Sequence, residues 1–556
     1  MKALKFQYPA LLGLLVSVLI PVATAAERPA LRLNGTEVDE AVLFAFDDHS
    51  IPHHGNLQLT MERAEKHPAN PVMPIGRPGT PDEWQLRFYG TILRVDGKFR
   101  MWYIAAAADG FVNPMQGGAL DRRGWRFAYA ESPDGIAWTK PNLGLTDFRG
   151  QRDNNLLGLP AGFRGYHALV VHEPEERDPT RRYKMMALLV DTGQYRLPDP
   201  QPDPAKWSGH NVYVPLYSAD GLNWRVADEL VTDGSHALSA KFKLLRHVEG
   251  SGLYRWNGMY YISGQAIHQS LLDHAAMPPY GRHIQLWRSP DLLNWSETST
   301  MAFAREGQFA RPPGFIGSPS TAISSDTEQT HEGASVWNRG NVLLGVTGFW
   351  HGSKDWTKIT HPLALLISND GLHFREPQPE FEFGAVGQRG RDWDHSGLGQ
   401  GQAFANVGDK TYIWYGAPMD QSGGPRTGGA WPREGGVGLL TFARDRFGSL
   451  ETRDPERDAT LVTTTIETRR AVRVSVNAEG LGPDSVLRIE VLDAQERPLP
   501  GYAGDQAARV AQSGLDVPVA WTTSERIPAD AVLRLRIRFE GRERNAIRLF
   551  AVYLRP

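Results

Sequence analysis

The feature that most constrains the fold is a repeat that occupies the middle of the chain. A short polar turn recurs as SPDGIAW at 132–138, SADGLNW at 218–224, SPDLLNW at 289–295 and SNDGLHF at 368–374. Its core is Ser-x-Asp, then usually Gly, then an aromatic residue. Asp134, Asp220, Asp291 and Asp370 can each accept backbone N–H bonds inside their own turn, and the glycine supplies the positive φ that such turns need. Trp138, Trp224, Trp295 and Phe374 are placed to fold back onto a sheet. These aspartates therefore read as structural.

A strand rich in aromatic and β-branched residues precedes each turn. Its copies are GKFRMWYIA at 97–105, RRYKMMALL at 181–189, NGMYYISG at 257–264, RGNVLLGVTG at 339–348 and GDKTYIWYG at 408–416. A second strand runs into each turn: WRFAYAE, NVYVPLY, IQLWR and LALLI, with GVGLLTFARDRF at 436–447 as a fifth copy that has lost the turn. The units start about 70–85 residues apart, which leaves room for four strands each. This predicts an all-β chain with a five-bladed β-propeller over residues 81–452. A β-helix is the other repeat-built architecture, but its repeats are far shorter.

From about Arg453 onward, apolar and polar residues alternate in VRVSVNAEG, VLRIEVLDAQERPLPGY, AVLRLRIRFEG and IRLFAVYL. Period-2 alternation with frequent turns predicts a β-sandwich over 453–556. Residues 27–80 read as a largely irregular segment that wraps the propeller and lends it a strand.

The first residues carry Lys2 and Lys5, an apolar run from Ala10 to Val22, and Ala23-Thr24-Ala25. This is the pattern of a signal peptide over 1–26, cleaved near Ala25 or Ala26, and predicts a secreted or periplasmic protein. The chain has no cysteine, so neither disulfides nor thiolate chemistry can operate. The formal charge is −3, and losing residues 1–26 removes two lysines and no acids, which leaves −5. With no basic tract, nucleic acid is excluded as an expected partner. No later segment spans a membrane by hydropathy. The oligomeric state is not encoded in any of these features.

In a propeller the innermost strands converge on one funnel, so residues opening those strands are the candidates for chemistry. Blade three opens with Glu249 and blade four with Glu332, each followed by glycine. Blade two opens with His167, and blade one with Arg87 and Tyr89. Blade five follows Asp392, Asp394, His395 and Gln400. Asp47 and Asp48 come directly after an apolar strand. Glycosidic cleavage needs one protonated and one ionised carboxyl group flanking the bond. Glu249, Glu332, Asp47 and Asp48 can supply the catalytic groups. Arg87, Tyr89, His167, Asp394, His395 and Gln400 are then the expected substrate-binding residues. The histidines at 49, 53, 54, 167, 268, 331, 351 and 395 fall in loops or at strand heads, yet no pair has a diagnostic metal-ligand spacing. Carboxylate chemistry requires no cofactor, and a structural calcium ion in the central channel stays open.

The segment VEGSGLYRWNGMYYISG resembles the blade-three signature of the five-bladed propeller glycoside hydrolases, the arabinanase, xylosidase and invertase group of the family 43 and 32 type. The resemblance implies that Glu249 is the proton donor and that the substrate is carbohydrate. The whole chain also resembles secreted bacterial propeller glycosidases with a C-terminal sandwich. The shared features are Asp47-Asp48-His49, GKFRMWY at 97–103, YAESPDGIAWTKPNLGL at 129–145, and Asn154-Asn155. Two positions depart from the group. Phe88 stands where a blade-one aspartate is usual, and the blade-two aspartate is absent, with His167 nearby. The nucleophile or base is therefore not given by motif. Two other readings fit the same residues: a non-catalytic carbohydrate-binding propeller, and a polysaccharide lyase with a His or Tyr base beside Arg87.

Overall fold

The computed structural model describes residues 29–107, 125–189, 195, 212–231, 238–246, 248–266, 283–305, 329–350, 360–388, 391–395, 397–417 and 434–556. Among these there is no α-helix, and the strands fall into antiparallel meanders followed by a two-sheet sandwich. The inner strands of the meanders are Gln85–Val95, Gly165–His172, Val248–Trp256, Gln329–Asn338 and Gly399–Val407. Each packs against the inner strand of the next unit, and the last packs against the first, so the five units form a closed ring. The first and last units are also joined by parallel pairing of Thr91 with Gln402. The chain is a β-propeller of five meanders.

Second strands follow antiparallel, by short hairpins except in blade two, where residues 173–182 intervene: Lys98–Ala106, Tyr183–Leu189, Met259–Ala266, Leu343–Trp350 and Lys410–Gly416. Their buried aromatic and β-branched residues pack between neighbouring blades, which is why the repeat is so apolar. The Ser-x-Asp turns close the third strands of blades one to four. In the first, Asp134 Oδ1 accepts N–H bonds from Ile136 and Ala137, both at 2.8 Å, and Ser132 Oγ accepts from Gly135. The copies at Asp220, Asp291 and Asp370 repeat this bonding. Burial opposes ionisation of these carboxyls, but the donated N–H bonds outweigh it. All four sit below the usual Asp value, Asp370 at about 2.

The turn also clasps adjacent blades. The indole N–H of Trp102, in blade one, donates to the carbonyl of Gly221 in the blade-two turn at 2.7 Å. Trp414 of blade five donates likewise to Gly135 in the blade-one turn at 2.8 Å, across the ring closure. Each such bond contributes about 1 kcal/mol net, and no disulfide is present to assist.

The N-terminal segment is divided between the two folds. Strands Leu31–Leu33, Thr36–Val38, Ala41–Phe44, His53–Gly55 and Leu57–Met61 join the sandwich, whereas Glu65–Lys66 and Met73–Pro74 add the outermost strand of blade five. The sandwich therefore recruits about 30 residues from the opposite end of the sequence. Strand Gly448–Thr452 pairs with Leu57–Met61, so the sandwich sheets also begin before Arg453. Asp445 is buried where the two folds meet. It binds the Arg339 guanidinium at 2.5 and 3.1 Å, Asn406, and the Tyr553 hydroxyl.

Candidate active site

All five inner strands lose register with their partner near the head. The breaks fall between Arg87 and Thr91, Tyr166 and Ala168, Gly250 and Gly252, His331 and Ser335, and Gln400 and Phe404. A bulge leaves residues unpaired and re-aims their side chains. Here the breaks leave residues 88–90, 167, 251, 332–334 and 401–403 without a partner on the second strand, all at one end of the ring, while Arg87, Glu249 and Gln400 beside them stay paired. Two are strained: His167 has φ 65° and Glu332 φ 56°, both left-handed and both buried.

Glu249 and Glu332 come from adjacent blades and are coupled by one side chain. Gln265, on the second strand of blade three, donates from Nε2 to Glu249 Oε2 at 2.9 Å, while its Oε1 accepts the Glu332 N–H at 3.0 Å. Around the Glu332 carboxylate stand the Tyr166 hydroxyl at 3.5 Å, His167 Nε2 at 3.6 Å and His331 Nε2 at 3.5 Å. His167 Nδ1 is 2.7 Å from the Tyr213 hydroxyl, which accepts the Gly250 N–H at 2.9 Å. His331 meets the ring of His361 edge-on at 4.8 Å between centroids.

The Glu332 bulge is fixed from both sides. Gln400 Nε2 donates to the carbonyls of His331 and Gly333, and Thr347 donates to the Gly333 carbonyl at 2.8 Å. Gly333, at φ 90°, lies against the backbone of Ser263 and Gly264 so closely that a Cβ would sit 2.6 Å from Gly264. Glycine is required there both for the torsion and for the contact.

Several expected site residues do other work. Asp47 is fully buried, and accepts bonds from Ser50 at 2.6 Å, Asn369 at 2.9 Å and Arg375 at 3.0 Å. Asp48 pairs with the same Arg375. Asn369 belongs to the turn after the third strand of blade four, at the opposite end of the blade from Glu332. The registers Ser368–Leu343 and His331–Gly348 put about 17 Å of strand between those ends. Asp47 and Asp48 are thus corrected from catalytic groups to a brace between the N-terminal segment and blade four. Asp394 is likewise a structural acid, held by Lys66 on the outermost strand of blade five at 2.7 Å and Tyr415 on its second strand at 2.6 Å. His395 Nδ1 lies 2.9 Å from the Asp392 carbonyl, within the same loop. His167 and Gln400 are buried beside Glu332, His167 3.6 Å from its carboxylate and Gln400 bonded to the carbonyls on either side of it. Arg87 lies at the blade-one head with its guanidinium 5.2 Å above Trp125, which packs on Tyr166. The side chain of Tyr89, and residues His268 and His351, lie outside the described residues. His53 and His54 form an exposed strand of the sandwich.

Gln265, Tyr166, Tyr213 and Thr347 carry no motif. The only signal of the first is a polar amide inside the apolar strand MYYISGQA. Among the described residues no group of three or more His, Asp or Glu side chains is arranged to hold a metal ion. No helix there is long and apolar enough to cross a membrane.

No protein-family profile matches the chain, and no curated protein matches it. Solved structures do match. One is a glycoside hydrolase, at 12% identity and TM-score 0.40, covering 68% of this chain and 92% of that one. A glycosyl hydrolase from Bacteroides ovatus gives 12% identity and TM-score 0.36, over 72% and 98% of the two chains. The Bombyx mori GH32 β-fructofuranosidase, a mutant in complex with sucrose, gives 12% and 0.37, over 88% and 94%. Superpositions this loose carry no argument about chemistry, which must come from the residues at the blade heads.

Proposed function

We propose that the chain is a glycoside hydrolase in which Glu249 is the proton donor and Glu332 the ionised carboxylate. The carrying observation is that Gln265 ties the Glu249 carboxyl to the backbone N–H of Glu332, a second buried acid on the adjacent blade, at the end of the ring where five bulged strands converge. The three groups around Glu332 can donate to it, and they favour its negative charge. In this mechanism the Glu249 proton passes to the glycosidic oxygen as the bond from that oxygen to the anomeric carbon breaks. The Glu332 carboxylate stabilises the positive charge that develops on the sugar ring, a water oxygen bonds to the anomeric carbon, and the proton that water releases restores the one Glu249 gave up. Tyr166, His167 and His331 hold and orient that carboxylate, and Gln265 fixes the two acids relative to each other. The leader-like residues 1–26 support export, so the substrate would be met outside the cytoplasm.

The test compares Glu249→Gln and Glu332→Gln on a glycan panel and on activated aryl glycosides. Removing a general acid costs on the order of 10²–10⁴ in rate where the leaving group is poor. Glu249→Gln should show that loss on glycans and be largely spared on the aryl glycosides. Glu332→Gln should lose activity on both. Equal losses for Glu249→Gln on the two substrate classes would remove it from the role of acid.

A further inference from the structure

The outer sheet of the sandwich presents a row of like charges. Strands Ala508–Val510, Val486–Asp493 and Ala531–Glu540 are adjacent, and their register places Arg509 opposite Arg488 and Arg488 opposite Arg538. Three guanidiniums thus stand side by side across three strands. Arg534 and Arg536 follow on the same face of the third strand, where inward residues are buried and these are not. Like charges directly opposite in a sheet are destabilising. Two carboxylates offset them. Glu490 is buried beneath Arg536 and Arg538, at 2.6 and 3.5 Å, and Glu540 lies 4.0 Å from Arg488. Five arginines against two acids leave a surplus of three positive charges on this face, part of which lies against the Gly504–Gln506 turn that accepts from Arg488 and donates to Glu490. Among the described residues Arg509 and Arg534 have no acidic partner.

We propose that this face docks an anionic polysaccharide carrying carboxylate groups. The inference rests on the carbohydrate reading of the propeller and extends it to the class of substrate. Neighbouring strands are about 4.8 Å apart, comparable to the advance of one pyranose along an extended chain, so successive arginines can meet successive uronate units. Arginine is the side chain suited to this, since its planar fork binds a carboxylate through two parallel N–H bonds. A lipid surface would call for apolar residues to insert. Val532 is the one large hydrophobic residue that is exposed among those described.

The experiment uses the full chain and measures retention on polygalacturonate, on neutral dextran, on duplex DNA and on anionic phospholipid vesicles. Wild type should be retained on polygalacturonate but not on dextran, and retention should fall as salt is raised. The triple variant Arg488→Gln/Arg509→Gln/Arg538→Gln, checked for an unchanged melting temperature, should bind polygalacturonate about tenfold more weakly, as three screened surface contacts together allow. Its hydrolysis of small aryl glycosides should match wild type. No wild-type retention, or full retention by the triple variant, would overturn the assignment. Equal retention on DNA or vesicles would also overturn it, by showing unselective attraction of polyanions. None of these failures would touch the roles of Glu249 and Glu332, which the aryl glycosides read separately.

Discussion

Substitution of Gly333 by alanine tests whether the carboxylate of Glu332 works by position. An added Cβ would lie 2.6 Å from both Cα and N of Gly264 and 2.8 Å from the Ser263 carbonyl carbon. These are backbone atoms of a strand paired on both sides, so they cannot swing away. Reaching ordinary contact near 3.4 Å requires a shift of about 0.8 Å, and the bulge carrying Glu332 is the part free to make it. A misplacement of about 1 Å costs on the order of 10²-fold in rate. The left-handed torsion adds roughly 1–2 kcal/mol of strain for a residue with a Cβ. Gly97→Ala is the control, because its φ is 79° and no atom lies within 4 Å of its Cβ position. Both variants should lose similar stability from torsion, read by thermal melting. Only Gly333→Ala should lose about 10²-fold in kcat on the most active glycoside found. A Gly333→Ala enzyme with full kcat would refute the claim that the bulge sets the geometry.

Three further outcomes follow from carboxylates outside the candidate site. Asp445→Asn leaves Arg339 without its counter-charge where sandwich and propeller meet, so it should cost about 3–5 kcal/mol by denaturant unfolding. Burial opposes ionisation of Asp445, but the Arg339 guanidinium outweighs it and holds the pKa below the usual value. Its contribution is then fully present above the unfolded Asp value of about 3.9 and lost as pH falls through the lower folded value. Wild-type melting temperatures should drop in that acid range, and Asp445→Asn should show a shallower drop. Asp220→Ala, which removes two backbone acceptor bonds from one turn, should cost roughly 1–3 kcal/mol with kcat unchanged. Asp47→Asn should lower the melting temperature and spare kcat on every substrate. A folded but inactive Asp47→Asn would return that residue to the active site.

The propeller is legible because its information is local and repeated. Each Ser-x-Asp turn satisfies its own backbone, and each second strand carries the aromatic residues that the next blade needs. What escaped the sequence is non-local. Strand Ala41–Phe44 looks like a propeller strand ending in two acids, yet it pairs with Arg548–Arg555, some 500 residues along the chain. That pairing carries Asp47 and Asp48 to the sandwich side, where Arg375 and Asn369 neutralise and bind them. Nothing in the string FDDHS distinguishes an acid that opens a funnel from one that braces two domains. Asp394 misleads in the same way, since its partner Lys66 lies on a segment with no apparent relation to blade five.

The candidate site was half legible for a different reason. Glu249 and Glu332 could be found by counting back from the repeated turns, because position in the repeat is position in the ring. Their environment could not, because it is made by bulges, and a bulge has no composition of its own. The backbone supplies the missing evidence. Left-handed torsions at residues with a Cβ cost about 1–3 kcal/mol each and persist only where the surroundings over-determine them. Among the five blade heads such torsions fall at His167 and Glu332, which face each other at 3.6 Å, and not at Arg87, Glu249 or Gln400. The surroundings do over-determine Glu332: Gln265 takes its N–H, Gln400 takes the carbonyls on either side, and Thr347 takes one of them again. Folding alone would be served better by a relaxed strand and an apolar residue at 332. A buried carboxylate held in an unfavourable torsion by three polar side chains is what a preorganised electrostatic site requires. In the proposed role, its position would be fixed before charge develops on the sugar, and no reorganisation would be needed at the moment of reaction.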